Sequence, residues 1–184
     1  MSQIRSNSAS RQDELYDEAA SSYGPALGRL VRGYEADPEN RRDLEQEIHV
    51  ALWRSLPGYD GRCSLRTWVY RVAHNVAATH VIKARRARPP SMVSLEDIDA
   101  LAVPDGKNDG EQAADRRLTI DRLLALVQQL NPLDRQVILL YLEDSDAASI
   151  AEVTGISAGN VATKIHRIKS ILVRRFHEGG SHGE

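Results

Sequence analysis

The chain has 184 residues, enough for one or two small domains. Its 27% charged and 41% hydrophobic residues are ordinary for a globular protein, and with only 5% aromatics a core must be built mainly from Leu, Val, Ile and Ala. No window holds the roughly eighteen consecutive apolar residues a membrane span needs, and the single cysteine, Cys63, excludes an internal disulfide and a cysteine-built zinc site.

The polar N-terminus has no apolar core of a secretory signal, so the expected location is the cytoplasm. Net charge is −2, but its distribution matters more than its sum. Met92–Asp115 carries seven acids and one base, Lys107. Ala158–His177 carries five bases and no acid, and Lys83, Arg85, Arg86 and Arg88 form a second basic cluster. An acidic middle thus conceals two basic patches, the footprint expected of a nucleic-acid partner.

The chain reads as all-α, since no segment shows the alternation of a half-buried strand. After a disordered tail, 1–13, a first helix is expected over Leu15–Tyr34. Asp37, Pro38 and Asn40 mark a break, "RRDLEQEIHVALWRSL" a second helix, and "PGYDGR" its stop. Ser64 can cap a third helix, which ends near Arg86 because Pro89-Pro90 forbids its continuation. A flexible acidic linker is expected over 91–115. Helices resume with "RLTIDRLLALVQQL", then "PLDRQVILLYLE", where Pro132 suits a first turn. The tail 179–184 reads as disordered. The expected architecture is two small helical domains, 14–90 and 116–178, joined by the linker.

"SIAEVTGISAGNVATKIHRIK" is the sharpest local signal. Gly155 can take the left-handed conformation of a tight turn, Ile156 can plug it, and Ser157 can cap the next helix. Val161, Ile165, Ile168 and Leu172 form one apolar stripe, which leaves Asn160, Thr163, Lys164 and Arg167 facing outward. Amide, hydroxyl and cationic groups near a helix N-terminus suit base edges and phosphates. A plain helical hairpin with a solvated face has the same pattern, and Lys164 and Arg167 can each serve a phosphate alone.

On the second helix Leu44, Ile48, Ala51 and Leu52 form the apolar side, with Asp43, Glu47, Val50 and Arg54 on another stripe. Two like charges at i,i+4 destabilise the helix slightly, so the acidic spot suits a basic partner. On the third helix Leu65, Trp68, Val69, Val72 and Val76 face one way. Trp68 is then largely core, Arg71 and Asn75 lie at its rim, and Tyr70 and His74 point elsewhere. His74, His80 and Cys63 lack metal-site spacing, so neither metal nor cofactor is expected. There is no P-loop and no nucleophilic triad, and the chain reads as no enzyme.

"DLEQEIHVALWRSLPGYDGRCSLRTWVYRVAHNVAATHVIKARRARPP" resembles the second conserved region of bacterial sigma factors of the extracytoplasmic-function class. "LNPLDRQVILLYLEDSDAASIAEVTGISAGNVATKIHRIKSIL" resembles their fourth region. The resemblance implies that 14–90 binds core RNA polymerase and opens the −10 element, and that 116–178 reads the −35 element. It puts Asp43, Gln46 and Glu47 against the polymerase clamp helices. Arg66, Trp68, Arg71, Asn75, Lys83, Arg85 and Arg86 would serve −10 DNA, with Asn75 at the rim of a pocket for an unstacked base. Ser157, Asn160, Thr163, Lys164 and Arg167 would serve the −35 duplex. The implied partners are core polymerase (clamp helices and flap), promoter DNA and an anti-sigma factor that could hold the chain near a membrane without insertion.

Three departures stand out. Cys63-Ser64 replaces a small polar pair, Ala162 sits where relatives carry a base, and "EDSDAAS" lacks the family's Gly and aromatic, so its helix can start differently. Two rivals remain at this level. A stand-alone helix-turn-helix regulator would bind symmetric half-sites as a dimer. A nuclease would need more clustered carboxylates than Asp43 and Glu47 supply.

Overall fold

A computed structural model describes residues 2–87 and 112–178, with side chains over 11–84 and 117–177. Among the described residues the chain is helical throughout: α1 (Ser2–Tyr34), α2 (Pro38–Ser55), a 3-10 turn (Leu56–Gly58), α3 (Leu65–Ala87), α4 (Gln112–Gln129), α5 (Pro132–Leu142), α6 (Ala147–Thr154) and α7 (Ala158–Glu178).

The boundaries follow local chemistry. Asp37 caps α2 by accepting from the N–H groups of Glu39 and Asn40, with Pro38 in the first turn. Ser64 Oγ accepts from Thr67 N at 3.0 Å and opens α3 as the sequence suggests. Asn131 and Pro132 start α5 in the same way. Gly155 ends α6 at φ 76°, the left-handed residue the turn requires. Ser157 then accepts from Asn160 N at 3.3 Å at the head of α7.

The first helix starts well before Leu15. Residues 2–13, expected as a disordered tail, are the opening turns of α1, since no Gly or Pro interrupts Ser2–Tyr23. Tertiary contacts pin this stretch: Gln12 Nε2 donates to Trp53 O at 2.7 Å and Trp53 Nε1 donates to Asp13 Oδ1 at 3.0 Å. The linker expected over 91–115 lies outside the described residues as far as Glu111, and its last four residues form the first turn of α4. The tail 179–184 also lies outside them.

α1, α2 and α3 pack as one bundle around Leu27, Leu44, Ile48, Leu52, Val69 and Ala73. The α3 core face differs from the one the helical wheel gives. Tyr70 and His74, expected to point elsewhere, are buried, while Trp68 is only half-buried. α1 and α2 both cover α3, so its apolar arc is wider than a single stripe. Tyr34 Oη pairs with His74 Nδ1 at 2.9 Å, and burial pulls the imidazole down to about 3, which keeps it neutral.

α4–α7 build the second bundle around Leu126, Leu130, Ile138, Ile150, Val161 and Ile168. The two bundles also pack on each other, α1 against α4 and α5, and α3 against α5 and α6. Gly33 allows the closest approach, because a Cβ there would lie 2.5 Å from Leu139 Cδ2. Arg135, buried, crosses the junction by donating to Tyr34 O at 3.3 Å with its guanidinium over the Tyr34 ring.

Candidate nucleic-acid interface

α2 and α3 diverge around a groove of about 730 Å³. One wall carries Asp43, Gln46, Glu47, Val50 and Arg54, the other Asn75, Thr79, His80 and Lys83. Asp43, Gln46, Glu47, Asn75 and Lys83 are all exposed. Acidic groups and an amide therefore share one concavity, with an ammonium at its end. Val50 adds apolar surface to the groove at 48% exposure, whereas Trp53, 43% exposed, is not among the residues that line it. The sequence places Val50 on this stripe but does not decide between core and surface for Trp53. Its indole donates to Asp13 on α1, a partner 40 residues away.

Trp68 sits apart from this groove. Its Nε1 donates to Ser55 Oγ at 2.9 Å and its ring meets Tyr59 edge-on at 5.5 Å. Tyr59 in turn donates to Cys63 O at 3.0 Å, which fixes the loop that leads into α3. The expected neighbourhood of Trp68 and Asn75 thus resolves into two places on α3, seven residues apart, roughly two turns.

Arg66 and Arg71 are held by the second bundle. Arg66 Nη2 donates to Glu143 O at 2.6 Å and to Ser145 Oγ at 3.2 Å. Arg71 Nη2 donates to Glu152 O at 2.8 Å. Thr67 Oγ1 lies 3.3 Å from Glu152 Oε2. The side chains of Arg85 and Arg86 lie outside the described residues.

On α7 the expected division holds for most positions. Val161, Ile168 and Leu172 are buried, and Ser157, Asn160, Thr163 and Arg167 are exposed. Ile165 is half-buried, and Ile156 packs against the core from the turn. Lys164 is the exception, since its Nζ lies 2.6 Å from Oδ1 of buried Asp134. Asn131 Nδ2 donates to the other carboxylate oxygen at 2.8 Å. The sequence hides this pairing because the two residues are 30 positions apart.

In the "EDSD" turn Asp144 adopts φ 55°. Asp tolerates that conformation better than most non-glycine residues. Asp146 then caps α6 by accepting from Ser149 N at 2.7 Å, so the motif's first helix starts at Ala147. Among the described residues no group of three or more metal-binding side chains occurs, and no helix is long and apolar enough to cross a membrane.

A helix-turn-helix with an exposed polar face thus packs against a second helical bundle that carries an acidic groove. The comparisons specify the class. The family model for sigma-70 region 2 matches residues 19–87, and that for sigma-70 region 4 matches 120–172. The RNA polymerase sigma-H factor of Pseudomonas aeruginosa is 28% identical over 151 residues, which cover 79% of this chain and 77% of that protein. The ECF RNA polymerase sigma-E factor of Haemophilus influenzae is 25% identical over 138 residues, 73% of each chain. ECF sigma factor SigG of Mycobacterium tuberculosis is 30% identical over 149 residues, 71% of this chain but 40% of that longer protein. In fold, the chain is similar to CnrH in its complex with the cytosolic domain of CnrY, with a TM-score of 0.64, 20% identity and 92% of both chains covered.

The chain belongs to the sigma-70 family, in its extracytoplasmic-function class, and is a sigma factor that directs promoter-specific transcription initiation. A region 2 match beside the helix-turn-helix sets aside a stand-alone regulator.

Proposed function

We propose that the α2–α3 groove is where this sigma factor meets both core polymerase and the opened −10 strand. The supporting observation is the shared groove itself: Asp43, Gln46 and Glu47 on one wall face Asn75 and Lys83 on the other. The acidic wall suits a basic helical element of polymerase, with Val50 as an apolar anchor within the same groove. Asn75, exposed and amide-bearing, offers hydrogen bonds to a base that has left the stack. Lys83, with Arg85 and Arg86 beyond it on α3, would follow the phosphates, and Arg66 and Arg71 would join them once free of the second bundle. Trp68, apart from this groove, ties the start of α3 to the end of α2 through Ser55 and to Tyr59.

Ser157, Asn160, Thr163 and Arg167 form the −35 reading face on α7, and Lys164 extends it where Asp134 releases it. Polymerase performs the chemistry, and this chain supplies sequence choice and strand opening without a catalytic group. An anti-sigma factor is the further proposed partner, supported by CnrH, which was solved with CnrY bound. The working location is the cytoplasm, where polymerase and promoter DNA are.

Two variants separate the roles. Asp43→Arg with Glu47→Arg should lower affinity for core polymerase at least tenfold in co-purification and titration, since it reverses two charges facing a basic partner. Asn75→Ala should leave that affinity unchanged but reduce strand opening, read by permanganate reactivity of unpaired thymines. Unchanged core binding in the first variant, or an equal loss of core binding in the second, overturns the assignment.

A further inference from the structure

Of the two histidines on α3, His74 belongs to the core, whereas His80 lines the α2–α3 groove beside Thr79 and Lys83. Its Nε2 lies 3.2 Å from Oε2 of Glu35, with the two side chains 20% and 18% exposed. A carboxylate only accepts, so Nε2 carries the proton of this bond. Glu35 follows directly on α1, and its other oxygen, Oε1, accepts from Asp37 N at 2.9 Å. Asp37 is the cap of α2. Arg41 closes this corner from α2: Nε donates to Glu35 O at 2.8 Å, and Nη2 donates to Ala36 O. Asp43, the first acidic group of the groove, stands two residues further on. One carboxylate thus ties the head of α2, which leads into one groove wall, to the part of α3 that forms the other. The tie sits where packing gives out. Val69, Ala73 and Ala77 are fully buried, and Val81 is the last buried residue of α3 among those described. Ile82 is 42% exposed, and Lys83 is exposed. Asn75 and Lys83 flank His80, each within about a turn and a half of the helix.

We infer that the Glu35–His80 bond is a brace that sets the spacing of the two groove walls, which makes both residues positioning residues for capture of an unstacked −10 base at Asn75. The inference rests on the assignment of that groove to the −10 strand. Neither residue has to touch DNA. An amide that must meet a base edge within hydrogen-bond reach depends on the bonds that hold its own helix in place. Without the brace, the α3 wall keeps its packing up to Val81 but loses its polar tie to the α1–α2 corner.

The test uses core polymerase saturated with the full chain, on a DNA fragment from which the parent initiates, and reads strand opening by permanganate. Saturation keeps any change in core affinity out of the readout. Glu35→Ala and His80→Ala should each reduce opening several-fold, the effect expected for one hydrogen bond lost. His80→Gln, whose amide nitrogen is a donor of similar reach, should recover most of the loss. The sign for Glu35→Ala separates the brace from a direct DNA contact. That variant removes a negative charge near a surface that meets phosphates and frees His80, so a His80 that acted by touching DNA predicts stronger opening. The brace acts through Asn75, so His80→Ala added to Asn75→Ala should cost nothing more, whereas a general loss of fold would add to it. Parental opening in Glu35→Ala or His80→Ala, or full additivity with Asn75→Ala, overturns the brace. Parental opening in Asn75→Ala alone overturns instead the groove assignment, a result that does not involve Glu35 or His80.

Discussion

Lys164 illustrates how one contact changes the meaning of a residue. A basic side chain on a recognition helix invites a phosphate contact, yet in the free chain its ammonium is 2.6 Å from the carboxylate of Asp134, whose side chain is 5% exposed. Removal of the lysine strands a buried charge, and an unsatisfied charged group costs at least about 1–3 kcal/mol. Lys164→Ala should therefore lower the urea or thermal stability of the α4–α7 bundle by about that amount, whether or not it weakens −35 binding. Asp134→Asn with Lys164→Ala should recover part of the loss, because the orphaned carboxylate is gone. Full stability in the single variant would show that solvent already screens the pair. His74 is a similar case. It looks titratable in the sequence, but burial against Tyr34 and Tyr70 keeps it neutral and makes it a core residue.

Among elements, α1 and α5 depend on the absence of a side chain at Gly33. A glycine in mid-helix costs about 0.5–1 kcal/mol relative to alanine, and Gly33, in the last turn of α1, at most that, so Gly33→Ala should not destabilise α1 if nothing packed there. Here the new methyl would lie 2.5 Å and 2.7 Å from the two terminal carbons of Leu139, itself buried. Overpacking of this kind costs about 1–3 kcal/mol, which exceeds the propensity gain. The denaturation midpoint of Gly33→Ala should therefore fall; a rise would mean that α5 does not seat on α1 in solution. Helix positions were largely legible in the sequence, because caps and breakers act locally: Ser64, Asn131-Pro132, Gly155 and Ser157 all behave as read. The start of α1 was not legible, because its anchor is Trp53, a tertiary partner. The buried arc of α3 was misjudged because a wheel cannot tell one covering helix from two.

For the whole molecule, local pattern does not show how the bundles meet. Arg66 reads as a DNA-facing cation, but its partner is a backbone oxygen 77 residues away, and no side-chain periodicity announces a carbonyl. The surface of α7 was readable because one helix and one turn determine it. The α2–α3 groove was half-readable: each wall carries its own pattern, while their juxtaposition is a product of packing. The combined picture is a sigma factor of two packed helical bundles, with an exposed polar face on α7 and an acidic groove between α2 and α3. Run-off transcription tests it most directly, with purified core polymerase and fragmented genomic DNA from the source organism. Core with this chain should give discrete starts on a small set of fragments, and core alone should give none. No promoter-dependent start on any fragment, with the chain folded and free of inhibitor, would contradict it.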